Sequence, residues 1–202
     1  MVSFVGLPFI GIAADRSGSM DKMAHEVRSG INAFVKDQLE VGDAHLHVSQ
    51  FDCYVEDVYS GLLSKAPEFN SSHFVPRGMT ALHDAMYHLI MAAEKAENEK
   101  VESADTESSK SNDIKPIIVV FTDGYENTSK NCSSLQLKGL VSEKRTAGWK
   151  FIFMGCEDVV SSASTMGLQR SECHAYEATP EGQYTALRTA SAEITRTRTQ
   201  SV

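Results

Sequence analysis

Apolar residues in this chain fall in short unbroken runs separated by longer stretches of helical period. Leu7 to Ala14 is one such run, the mark of a central strand covered on both faces. From Lys22 to Leu39, residues Val27, Ile31, Phe34 and Val35 keep the i, i+4, i+7, i+8 spacing of an amphipathic helix. His45 to Phe51 and Tyr54 to Tyr59 read as two short strands around Asp52-Cys53, which suggests an antiparallel hairpin. Gly61 to Pro76 has no clear period and reads as loop. A second helix opens after Arg77-Gly78-Met79, with Thr80 at the N-cap position and Leu82, Ala85, Met86, Leu89, Ile90 and Ala93 as its apolar face. Pro116 to Thr122 (PIIVVFT) is the most hydrophobic strand of all. A helix over Ser134 to Ala147, a buried strand over Trp149 to Gly155, a short helix over Val159 to Met166, a weak strand over Cys173 to Tyr176 and a final helix opened by Pro180 complete the pattern. Strands alternating with helices predict a doubly wound α/β sandwich.

Two of the most apolar strands end on a carboxylate. The first stops at Asp15, followed by Arg16-Ser17-Gly18-Ser19; the other stops at Asp123, followed by Gly124. Open α/β sheets place their ligands at the carboxyl ends of strands. Asp15, Ser17 and Ser19 are two residues apart, so an extended loop turns all three oxygens to one side. Thr80 joins them if its helix starts at the same edge. Two carboxylates and three hydroxyls are hard-oxygen donors, suited to Mg²⁺, Mn²⁺ or Ca²⁺. Taken alone, the first cluster also fits a capped helix start or a phosphoryl-transfer nucleophile. Asp84, in the first turn of its helix, reads as a structural or supporting acid and not as a ligand. Asn127 reads as a supporting group in the Asp123 loop.

Composition narrows the classes. The chain has 202 residues, enough for one domain with a real core. Its net charge of −8 argues against a nucleic-acid footprint. Half of that charge lies in Glu94 to Asp113, with seven acids against three lysines. A polar acidic insertion is therefore expected at about 98–114. Four scattered cysteines, with no C-x-x-C pair, suggest reduced thiols in a cytoplasmic protein. No run reaches the roughly 18 apolar residues of a membrane span, and the N-terminal apolar run reads as a strand and not as a signal peptide. The seven histidines show no zinc-like spacing with a cysteine or carboxylate, and read as ordinary surface or core residues.

DRSGSM, RGMTALHDA and FTDGYEN together resemble the three motifs of the von Willebrand factor A domain and its metal-ion-dependent adhesion site. The family pattern is D-x-S-x-S, a later Thr and a later Asp; here these are Asp15, Ser17, Ser19, Thr80 and Asp123. The resemblance spans Phe9 to the last helix and looks most like the soluble, single-domain microbial or phage branch. It implies a Rossmann-like three-layer sandwich with a mostly parallel central sheet and one short antiparallel edge strand. It also implies a bound Mg²⁺, with Ser17 and Ser19 as direct ligands, Thr80 direct in the ligand-bound arrangement, and Asp15 and Asp123 acting largely through waters. A partner protein's Asp or Glu would complete the site, and the function would be protein binding without catalysis. Ala13-Ala14, His83 and the acidic insertion depart from the pattern without touching a ligand position.

Two other readings compete. One is a metal-dependent phosphohydrolase, but the haloacid dehalogenase type needs a second Asp where Ser17 stands, and no P-loop signature is present. The other is a subunit of a larger ATPase or chelatase-type complex, which shares the site and differs in partner. The residues do not specify an oligomeric state; a monomer is the expectation.

Overall fold

The computed structural model describes residues 4, 6–103 and 114–200. Six strands form one sheet: β1 (Phe9–Asp15), β2 (His45–Phe51), β3 (Val55–Leu62), β4 (Ile117–Thr122), β5 (Lys150–Gly155) and β6 (Cys173–Ala175). Their order is β3-β2-β1-β4-β5-β6. β3 runs antiparallel to β2, and every other pairing is parallel. The helices are α1 (Ala24–Val41), α2 (Leu82–Ser103), α3 (Ser134–Thr146), α4 (Glu157–Ser162) and α5 (Pro180–Thr199).

The unbroken apolar runs follow from burial on both faces. Ile10, Ile12, Val119, Phe121 and Met154 face α1 and α5, meeting Ile31, Phe34, Leu187 and Ile194. The alternate residues Phe9, Ala13, Ile118, Val120 and Phe153 face α2 and α3, meeting Met86, Leu89, Leu137 and Val141. Each strand of the centre thus feeds two cores, giving a three-layer α/β sandwich.

α1 packs against α5 at Gly30, where an added methyl would overlap the Leu187 side chain. Gly30→Ala sets an overpacking cost of about 1–3 kcal/mol against a helix-propensity gain of up to about 1 kcal/mol. We expect a net loss near 1 kcal/mol, seen as a lower urea midpoint. A midpoint at or above wild type would show that Leu187 swings aside.

Several boundaries differ from the sequence expectation. β3 continues to Leu62 and a 3₁₀ turn follows over Leu63–Lys65, so the expected loop begins later than Gly61. A 3₁₀ turn over Gly18–Met23 precedes α1. Helix α2 extends to Ser103, so residues 98–103 of the expected insertion are helical; its residues 104–113 lie outside the described residues.

Candidate metal centre

β1 is the strand from which the sheet is built both ways, toward β2 and toward β4. The crevice between the carboxyl ends of β1 and β4 is therefore the topological switch point where such sheets hold ligands. Asp15 is the last residue of β1, and Asp123 directly follows β4. Side by side at that edge, the Thr122 hydroxyl donates to Asp15 Oδ2 at 2.6 Å. The Ser17 backbone N–H donates to Asp15 Oδ1 at 2.6 Å, which folds the loop back over the strand end. Ser17 Oγ and Ser19 Oγ stand 3.1 Å apart, and Ser19 Oγ donates to Asp123 Oδ1 at 2.6 Å. Thr80 packs on Gly124: a Cβ there would come within 2.9 Å of Thr80 Oγ1. The structure thus brings Asp15, Ser17, Ser19, Thr80 and Asp123 to one edge, and glycine at 124 is what lets Thr80 close in.

The loop carrying Thr80 is fastened from both sides. Gly18 N–H donates to Gly78 O at 3.2 Å, and Arg77 N–H donates to Arg16 O at 2.8 Å. Gly78 has φ +70°, and Cys53 Sγ lies 3.0 Å from where its Cβ would be, so the position suits only glycine. Asn127 grips Thr80 twice, its Oδ1 accepting from Thr80 N–H at 2.9 Å and its N–H donating to Thr80 O at 3.1 Å.

Thr80 is not the N-cap of α2, which begins at Leu82. The first-turn N–H groups are capped from the β4–α3 loop instead. Glu126 Oε2 accepts from His83 N–H at 2.8 Å, and Ser129 Oγ accepts from Asp84 N–H at 3.0 Å. The capping work passes to residues more than 40 positions away, and the Thr80 hydroxyl is turned to Gly124. Asp84 is the structural acid its position suggested. Its carboxylate, 7% exposed, accepts backbone N–H bonds from Lys130, Asn131 and Cys132, each at 2.9 Å, and one from Asn131 Nδ2 at 3.0 Å. On the other flank, Asp52 accepts from Arg16 Nε at 2.9 Å and Arg77 Nε at 2.7 Å. Thr122, Glu126, Ser129 and the Arg16–Asp52–Arg77 group escaped the sequence reading; Arg16, Arg77, Thr122 and Glu126 sat inside the motifs already singled out, and Asp52 and Ser129 lay outside them.

Burial pushes the Asp15 carboxyl up from 3.8 to about 6; hydrogen bonds from Thr122 and Ser17 oppose the rise, and the charge of Asp123 adds to it. Asp123 is raised as well, chiefly by burial, against the bond from Ser19. The nearest arginine, Arg16, is committed to Asp52 and Glu56. Two desolvated carboxylates beside three hydroxyls make a donor set that a small hard divalent cation fits.

The architecture matches solved structures. The pilus adhesin SpaC from Lactobacillus rhamnosus GG, in its open conformation, superposes with a TM-score of 0.67 over 94% of this chain and 30% of its own, at 13% identity. VWA2, the ArnB paralog from Sulfolobus acidocaldarius, superposes with a TM-score of 0.56 over 92% of this chain and 45% of its own, at 18% identity. The fold is of the von Willebrand factor A type. Proximal thread matrix protein 1 from the mussel byssus, solved with a zinc-occupied MIDAS motif, superposes with a TM-score of 0.57 over 91% of this chain and 46% of its own, at 15% identity. This chain spans less than half the length of each of these three structures. No family model and no curated protein matches its sequence.

Proposed function

We propose that the chain is a divalent-metal-dependent protein-binding module. In this reading Asp15, Ser17, Ser19, Thr80 and Asp123 hold Mg²⁺, with Mn²⁺ or Ca²⁺ as alternatives, and an Asp or Glu side chain of a partner protein completes the site. The observation that carries it is the hydrogen-bonded chain Ser17–Ser19–Asp123, running past the buried Asp15 carboxylate at the switch point. A bound ion would supply the Lewis-acidic point that a foreign carboxylate recognises. The A-type neighbours support it at the level of fold, one of them through its metal-occupied motif. The reading places no catalytic step here. Asp15 is 1% exposed and both its oxygens are engaged, by Thr122 and by Ser17, a poor posture for a nucleophile. The cysteines Cys53, Cys132, Cys156 and Cys173 are free thiols, which suits a reducing, cytoplasmic setting.

Mg²⁺ or Mn²⁺ titration by calorimetry tests the reading. Wild type should bind one equivalent, and Ser17→Ala or Asp123→Ala should weaken it at least about tenfold, a loss of about 1.4 kcal/mol or more. No heat and no thermal shift with wild type would sink it, as would clear phosphate-ester turnover that dies with Asp15→Asn.

The site should also be pH-dependent. The folded pKa of Asp15 lies above its unfolded value, so in metal-free protein its proton stabilises the fold fully below pH 3.8, and this contribution is lost as pH rises through about 6. A cation competes with that proton. The Mg²⁺-induced rise in melting temperature should therefore be larger at pH 7.5 than at pH 5, and an equal rise at both would contradict the assignment of Asp15.

A further inference from the structure

A second constellation lies away from the strand-end site, on the face of the sheet covered by α2. His47 of β2, Asp57 of β3 and His88 of α2 meet there, their nearest ligand atoms all within 4.8 Å of one another. His47 Nε2 stands 2.8 Å from Asp57 Oδ1, and His88 Nε2 stands 2.6 Å from the same oxygen. Two imidazoles, from different elements, thus turn the same ring nitrogen to one point. The sequence spacing of these residues, 10 and 31 positions apart, hid the convergence; by spacing alone the histidines read as ordinary surface or core residues with no zinc-like spacing to a carboxylate. His47 is in register with Gly11, four residues before the Asp15–Phe51 pair at the edge. The cluster is therefore about 13 Å along the strands from the first site.

We propose that His47, Asp57 and His88 form a second, independent metal site that takes a zinc-class divalent ion. Two imidazoles and one carboxylate are the donor set of Zn²⁺, Co²⁺ or Ni²⁺ and a poor set for Mg²⁺. Zinc holds nitrogen at about 2.0–2.1 Å, so its ligand atoms stand about 3–3.5 Å apart. Atoms already gathered this closely reach that arrangement by small side-chain rotations. The members with room to rotate are the exposed ones. The His47 side chain is nearly buried, while Asp57 and His88 are 49% and 38% exposed at the edge of the sheet. Three protein ligands leave an open position for water or an outside donor. A cavity of about 460 Å³ lies beside them, walled by Phe4, His45, Met91 and Ala96. Because the ligands come from β2, β3 and α2, an ion here would clip the edge hairpin to the helix.

The test is a Zn²⁺ titration in excess Mg²⁺, followed by calorimetry and by the histidine ring signals in NMR. It is run on wild type and on Ser17→Ala, which removes a donor of the strand-end site. Both should take up one Zn²⁺ that Mg²⁺ does not displace, with the rings of His47 and His88 shifting on Zn²⁺ and not on Mg²⁺. His88→Ala should weaken that uptake at least about tenfold. Asp57→Asn should do the same; both substitutions are at exposed side chains, and matched melting curves without metal check the fold. The proposal is overturned if Ser17→Ala binds no Zn²⁺ in Mg²⁺, which would put all zinc at the strand-end site. It is equally overturned if His88→Ala and Asp57→Asn bind as wild type does, since the cluster is then a hydrogen-bonded tie only. Loss of Mg²⁺ binding by Ser17→Ala bears on the first site alone, so the two readings fail separately.

Discussion

Asp84→Ala is expected to destabilise the protein by about 3–4 kcal/mol, the largest effect of any single change to the residues around the site. The carboxylate accepts three backbone N–H bonds, from Lys130, Asn131 and Cys132, and one side-chain bond from Asn131. Hydrogen bonds to a charged group contribute about 1.5–3 kcal/mol each when measured singly. Their sum overstates the loss, because the four share one acceptor and water can reach the exposed Lys130 and Asn131. Cys132 is buried, and its N–H has no such escape. Asp84→Asn keeps one acceptor oxygen and should cost about half as much. Urea denaturation of the three proteins decides it; a loss below about 1 kcal/mol for Asp84→Ala would mean that the 124–133 loop holds itself. The same loop carries Asp123 on its near side and Asn127, which grips Thr80. Mg²⁺ affinity should therefore fall in Asp84→Ala although Asp84 touches none of the five site residues.

That chain of support explains which parts of the site were legible beforehand. Asp15, Ser17 and Ser19 show themselves by local spacing, and Asp123 by ending the most apolar run; both signals need only the rule that polar groups gather at the carboxyl ends of buried strands. Thr80 was found for partly the wrong reason. Local chemistry made it an N-cap, but the free N–H groups of a helix start can be satisfied by side chains of any segment that reaches them, and Glu126 and Ser129 do so from across the crevice. The strand run of β3 was underestimated only at its far end, where Gly61 breaks the pattern two residues after Tyr59. His47, Asp57 and His88 were invisible for a simpler reason. Their meeting depends on hairpin register and on the height of α2 along the sheet, and neither leaves a mark in spacing. The doubly wound architecture and the two-sided cores were legible from the apolar runs and the helical periods between them.

Asp52→Ala removes the other fastening, and a loss of about 3 kcal/mol is expected. Asp52 is 2% exposed and accepts from the nearly buried Arg16 and from Arg77, with a further bond from Tyr54 N–H at 3.0 Å. Breaking a buried ion pair by removing one partner costs about 3–5 kcal/mol, since a desolvated charge is left behind. The lower end applies here because Glu56 Oε1 already lies 2.8 Å from Arg16 Nη2 and can hold part of that charge. Burial pushes the Asp52 carboxyl up, but hydrogen bonds from Arg77 and Tyr54 and the two arginine charges more than offset it, so its pKa lies below the ordinary 3.8. A depressed carboxylate contributes stability above its unfolded pKa and loses it as pH falls through the folded value. The difference in stability between wild type and Asp52→Ala should accordingly be constant from pH 7 to about 5 and shrink below pH 4. Arg16 lies between Asp15 and Ser17, and its carbonyl holds Arg77 N–H. Freed of Asp52, it loosens the D-x-S-x-S loop and the Thr80 loop together. Mg²⁺ affinity should fall in Asp52→Ala and recover partly in Asp52→Asn, which can still accept one of the two arginines. If Mg²⁺ binding is unchanged while stability falls, the arginine pair braces the fold without shaping the site.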